Sequence, residues 1–131
     1  MVGDPVGDFI IRIKNASAVG KDVVSAPYSK FRQAIADVLK QKGYLTSVEA
    51  KGKSAQKVLE VGLRYDKAGK SALHGIKRVS RPGRRLYVGA NEINPVKYGK
   101  GSLIISTPKG VLTDEEARKE RVGGEALFKI W

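Results

Sequence analysis

Val58-Leu59-Glu60-Val61-Gly62-Leu63-Arg64-Tyr65 sets Leu59, Val61, Leu63 and Tyr65 on one side and Glu60, Gly62 and Arg64 on the other. Strict alternation of this kind predicts a β-strand in a sheet with one buried and one wet face. Tyr44 to Ala50 reads as its partner, joined to it by the polar loop Lys51 to Gln56. Upstream, Ser29 caps a helix that turns Ile35, Val38 and Leu39 inward and stops at Gly43. Val23-Val24-Ser25-Ala26, bounded by Pro27, is a short strand. Asp4-Pro5 opens the first helix, because Asp accepts an N–H at a helix start and Pro lacks only an N–H that would be unpaired there. Val6, Phe9, Ile10 and Ile13 recur at helical spacing as its core stripe, with Arg12, Lys14 and Asn15 on the more polar side. Residues 1–65 are therefore expected to form an αβαββ lobe.

Asp66-Lys67-Ala68-Gly69-Lys70 clusters turn-forming and charged residues after a committed strand, and is read as the boundary between lobes. Residues 66–131 then look mostly β with one short helix. Ser71 to Val79 is expected to be extended, Arg81-Pro82-Gly83 to turn, and Arg84 to Val88 to return, followed by an irregular loop through Asn91, Pro95 and Gly99. The apolar run Leu103-Ile104-Ile105 delivers Ser106-Thr107-Pro108-Lys109-Gly110 at a strand end, before Val111-Leu112. Thr113-Asp114-Glu115-Glu116 is a capping box that opens a helix through Glu120, which Gly123-Gly124 is expected to break. Ala126, Phe128 and Ile130 alternate with Leu127, Lys129 and Trp131 in a final strand. The fold class is α+β, in two lobes.

Charge limits what the chain can bind. Its 25 Lys and Arg against 13 Asp and Glu give a net charge of +12, which implies a polyanionic partner. Both halves contribute, with a net +5 over residues 1–65 and +7 over the remainder. Membrane binding would call for a basic amphipathic helix or an apolar span of about 20 residues, and neither is visible. No charged-then-apolar leader opens the sequence, so a soluble, unexported protein is expected. With no cysteine and one histidine, neither a thiolate nor an imidazole metal cluster is expected, and no cofactor is implied. Gly52-Lys53-Ser54 and Gly69-Lys70-Ser71 resemble the end of a phosphate-binding loop. Each lacks the upstream glycine, since positions 47 and 64 are Ser and Arg, so an NTPase is not expected.

No His or Cys accompanies Ser106 and Thr107 to activate them, so the pentad reads as a contact surface and no catalytic residue is expected. Hydroxyls, N–H groups and lysine are the donors a nucleic acid accepts: Ser106 and Thr107 suit ribose or base edges, Lys109 a phosphate, and Gly110 close backbone approach. An ordinary β-turn would also use Pro and Gly. Arg81, Arg84 and Arg85, with Lys77 and Arg78, form the densest basic run and hold no acid within it. They are a solvated face or an RNA contact. Tyr87 either packs between lobes or stacks on an unpaired base. Ser29 and Lys30 form a helix start that can also attract phosphate. His74 reads as structural or surface, and Asp114, Glu115, Glu116 and Glu120 serve the cap and helix dipole.

Ser106-Thr107-Pro108-Lys109-Gly110-Val111-Leu112-Thr113-Asp114, with Glu116-Ala117-Arg118 and Gly123-Gly124-Glu125, resembles the S-T-x-x-G-V-[ML]-[ST]-D signature of ribosomal protein S8 of the small subunit. The likeness runs along the whole chain. It includes Asp4-Pro5 with Asp8 and Arg12-Ile13-Lys14-Asn15, Ser29-Lys30 with Ala34-Ile35-Ala36, and Arg78-Val79-Ser80-Arg81-Pro82-Gly83. The resemblance implies two lobes and a cytoplasmic, non-enzymatic constituent of the ribosome. It implies direct binding to the central domain of small-subunit RNA, a part in assembling the platform, and contacts with the fifth and twelfth small-subunit proteins. In bacteria it also implies repression of the protein's own operon through its messenger RNA. It moves Tyr87 toward RNA contact and places Asp4, at the family's opening helix, in the same RNA-binding set. A general nucleic-acid-coating module without sequence preference is the alternative; no small-molecule substrate is implied. Two positions depart from the usual bacterial pattern. Pro108 stands where many members have a second serine, which removes an N–H and a hydroxyl. Ile11 stands where members often have threonine, and reads as added apolar packing.

Overall fold

The structure is a computed structural model that describes residues 4–94 and 100–131, so the expected loop positions Pro95 and Gly99 lie outside the described residues. The protein is α+β and its chain divides into two compact units. One spans Asp8–His74; the other spans Gly75–Trp131 and takes in Asp4 to Gly7.

The first unit follows the expected order: α1 (Pro5–Ala18), β1 (Val23–Pro27), α2 (Lys30–Gln41), β2 (Leu45–Lys51) and β3 (Val58–Leu63). The strands form an antiparallel sheet in the order β1-β3-β2. Placing β3 in the centre buries its alternating residues: Leu59 faces Ala26 and Ala50, and Val61 faces Val24 and Val48. Helix α2 covers β2 and β3 with Ile35, Ala36, Val38 and Leu39, while α1 buries Phe9, Ile10 and Ile13. Ile11, read from sequence as extra packing, is instead 54% exposed, because it follows the buried pair Phe9 and Ile10 around the helix. The Asp66–Lys70 turn is closed by its own bonds: the Asp66 carboxylate accepts from Ala68 N–H at 2.9 Å and Lys70 N–H at 2.8 Å. Tyr65 then bridges to Ser71, which holds the start of the expected 71–79 extended segment in this unit.

Strand β1 is an edge, which would leave backbone groups open to another chain. Two arginines close it. Arg12 donates to the Ser25 carbonyl at 3.1 Å and Arg32 to the Pro27 carbonyl at 3.0 Å. Asp8 holds both guanidinium groups, at 2.9 and 3.5 Å, and Pro27 itself offers no N–H.

The second unit contains β4 (Ile76–Arg78), β5 (Tyr87–Val88), β6 (Ser102–Thr107), β7 (Gly110–Thr113), α3 (Asp114–Glu120) and β8 (Gly124–Ile130). Its sheet runs β4-β8-β6-β7, with β5 also on β8. The regular strands are shorter than expected. Of Ser71 to Val79 only Ile76–Arg78 forms a regular strand, and of Arg84 to Val88 only the last two residues do, because Arg84 closes the turn by bridging to Arg81. The core gathers Ile93, Leu103, Ile105, Ala117 and Ala126, with Val79, Val88, Leu112 and Val122 around them.

The capping box forms as read. Thr113 Oγ1 accepts from Glu116 N–H and the Glu116 carboxylate accepts from Thr113 N–H, each at 3.2 Å. Helix α3 ends at Glu120 as expected, but the glycines do not stop it. Arg121, not a glycine, takes the left-handed cap at φ 55°. A side chain there is strained, so Arg121→Gly should raise stability by roughly 1 kcal/mol in denaturant titrations. Gly123 and Gly124 have another use. A Cβ on Gly123 would lie 2.2 Å from the Val88 carbonyl oxygen, and one on Gly124 only 2.0 Å from that of Ser106, so both glycines let β8 enter the sheet. The final strand also breaks its simple alternation. Its register against β6 shifts between Ile104 and Ile105, so Ala126, Leu127 and Phe128 are all buried in succession.

Candidate nucleic-acid interface

Ser106 pairs with Val111 and Thr107 with Gly110, so the pentad is the tip of a hairpin whose two-residue turn is Pro108-Lys109. Gly110 sits at φ 110°, a conformation that other residues avoid, and a Cβ there would meet nothing within 4 Å. Pro108 is exposed and carries no donor. The Thr107 hydroxyl donates to the Gly110 carbonyl at 2.7 Å and accepts from the Lys109 N–H at 3.1 Å. That hydroxyl thus shapes the turn before it can meet any partner. Lys109 Nζ lies 3.1 Å from the Glu120 carboxylate at the end of α3. The half-buried Ser106 makes no side-chain hydrogen bond among the described residues.

Strand β8 organises what surrounds the tip. Glu125 pairs with Ser106 on one side and with Tyr87 on the other. Directly paired residues share a face, so Tyr87, Glu125 and Ser106 form a row across three strands. The opposite face carries Ile105, Ala126 and Val88 into the core. Tyr87 is 69% exposed, which removes support for packing as its role. Arg85 reaches Glu125 at 3.2 Å, which puts a guanidinium on the central residue of that row.

The basic run, free of acids in sequence, acquires them in space. Arg78 makes a two-pronged ion pair with Asp4, with Nη2 to Oδ1 at 2.8 Å. Asp4 also accepts from Gly7 N–H at 3.1 Å, so its carboxylate is occupied within the protein. Burial alone would push that carboxyl up, but hydrogen bonds from Arg78 and Gly7 and the charge of Arg78 hold it below the usual range. Arg81 and Arg84 cap their turn, exposed, with no ion pair among the described residues. Asp114 is buried and structural: it accepts from Leu103 N–H at 3.2 Å and pairs with Arg118 at 3.0 Å.

Ser106, Thr107, Lys109, Gly110, Tyr87, Arg81, Arg84, Arg85 and Asp4 therefore share the second unit, whereas Ser29 and Lys30 belong to the first. Ser29 caps α2 by accepting from Arg32 N–H at 3.0 Å, and Lys30 is exposed beside it. The dipole role read for Glu120 does not hold, since it ends α3 and pairs with Lys109 instead, and the sequence reading gives Glu125 no role of its own. Reading Gly124-Glu125 as the start of the strand would have shown Glu125 on the face opposite Ala126; nothing local points to the pairing of Glu120.

No helix among the described residues is long and apolar enough to cross a membrane. A family model described as Ribosomal protein S8 matches residues 4–131. The chain is 47% identical over 136 residues to the small ribosomal subunit protein uS8 of Persephonella marina, covering 100% of both chains. It is 46% identical to that of Mycoplasmopsis agalactiae over 99% of this chain and 98% of the relative. It is 48% identical to that of an Acidovorax species over 98% of each. With the expected αβαββ order, the capped hairpin signature and full-length relatives in agreement, the chain belongs to the ribosomal protein S8 family of the small ribosomal subunit.

Proposed function

We propose that the protein binds the central domain of small-subunit ribosomal RNA directly and so helps to organise the platform during assembly. The observation that carries this reading is the row Tyr87, Glu125 and Ser106 beside a donor-bearing hairpin tip, on a chain of net charge +12. The pieces divide the work of recognition. Tyr87 offers a face for an unstacked base, Ser106 a hydroxyl for a ribose or base edge, and Arg81, Arg84, Arg85 and Lys109 offer charge to phosphates. The major groove of duplex RNA is too narrow to read, so this surface suits a shallow minor groove or a bulged element with accessible bases. Ser29 and Lys30 add a phosphate contact from the first unit, with the fifth and twelfth small-subunit proteins as neighbours. A messenger element of the same shape would permit repression of the protein's own operon.

The test is equilibrium binding of the purified chain to a central-domain transcript and to a scrambled duplex of equal length, across a salt series. Preference for the first that survives moderate salt is expected. Equal binding with a steep salt slope would instead identify a general coating module.

A further inference from the structure

Glu120 is oddly placed. It closes the last turn of α3, where the helix dipole disfavours an acid. Its carboxylate has a different role there: it lies 3.1 Å from Lys109 Nζ, eleven residues away in sequence, at the hairpin tip. Both side chains are about half exposed, at 54% and 55%, so the contact is open to exchange with a solute. Arg81 and Arg84, in the same unit, have no such acid among the described residues.

We propose that Glu120 sets the affinity of the hairpin for RNA by occupying Lys109 until a phosphate displaces it. This rests on reading the hairpin tip as an RNA contact. Lys109 then works as an ion-exchange contact, whereas Arg81 and Arg84 work as open cations. The two kinds of contact differ in salt response. An open cation that meets a phosphate releases about one counterion from the RNA, so each contributes about one unit to the salt slope. When Lys109 moves from carboxylate to phosphate, one screened ion pair replaces another and the freed Glu120 regains a cation. Its contribution to the slope therefore falls well below that of an open cation.

The experiment is a double-mutant cycle of Glu120→Gln and Lys109→Ala, with binding to the central-domain transcript measured from low to moderate salt. Exposed ion pairs are weak, so Glu120→Gln should tighten binding by up to about fivefold at low salt and steepen the slope. In the Lys109→Ala background, only the through-space repulsion between Glu120 and RNA remains, so the gain should drop below about twofold. Lys109→Ala should change the slope by about one unit in the Glu120→Gln protein and by clearly less in the original. Arg84→Ala should show the full change in both, and thermal midpoints should stay together. Equal gains from Glu120→Gln in both backgrounds would overturn the exchange, because the acid would then act only through space. Weaker binding by Glu120→Gln would overturn it as well, since Glu120 would then be positioning Lys109. Either result, with RNA preference intact, leaves the proposed function standing. Loss of preference in the unmodified chain overturns both.

Discussion

Gly124→Ala is expected to cost about 3 kcal/mol of stability, at the upper end of what overpacking usually does. The added methyl carbon would lie 2.0 Å from the Ser106 carbonyl oxygen, 2.9 Å from its carbon and 3.0 Å from Thr107 Cα. All three are backbone atoms of β6, so no side chain can rotate to make room. The strands must part where β8 enters the sheet, and the same movement disturbs the pairing of Glu125 with Ser106. Denaturant titration should show a lower midpoint, and RNA affinity measured under folding conditions should fall with it. An alanine variant of unchanged stability would mean that β8 enters the sheet without this close approach.

Tyr87→Ala is expected to weaken binding to the central-domain transcript by about ten- to a hundredfold, the usual range for losing one base stack. The ring is 69% exposed, so its removal should scarcely alter the unfolding midpoint. Stacking carries no counterion, so the salt slope should stay constant. Tyr87→Phe should keep most of the affinity, since it retains the face of the ring. A phenylalanine variant as weak as the alanine one would assign the effect to the hydroxyl, and equal losses on a scrambled duplex would remove Tyr87 from specific recognition.

The elements legible in sequence are those whose signals are local. Leu59, Val61 and Leu63 alternate because a strand exposes one face, and β3 is where that pattern predicts it. Thr113 and Glu116 make the capping box because both partners lie within one helical turn. Signals failed where two local rules conflicted. Gly123-Gly124 reads as a helix stop, but Arg121 takes the left-handed position and the glycines serve β8 instead. Simple alternation sets Leu127 opposite Phe128, and the register shift against β6 turns it inward. Ile11 lay outside the core stripe, and its exposure follows from helical geometry.

The same distinction runs through the candidate interface. By itself the sequence determined the order αβαββ followed by a β-rich half, the caps, the positive charge and the Ser106–Gly110 signature, because each depends on residue type and short spacing. Only the tertiary structure decided which charges are open and which are held. It set Arg78 against Asp4, Arg85 against Glu125 and Lys109 against Glu120, each pair separated by many residues. It also put Tyr87 and Ser106 on either side of Glu125. Sheet register and ion pairing are long-range properties: they depend on which strands meet and where, and neither can be read from the spacing of residues along one segment.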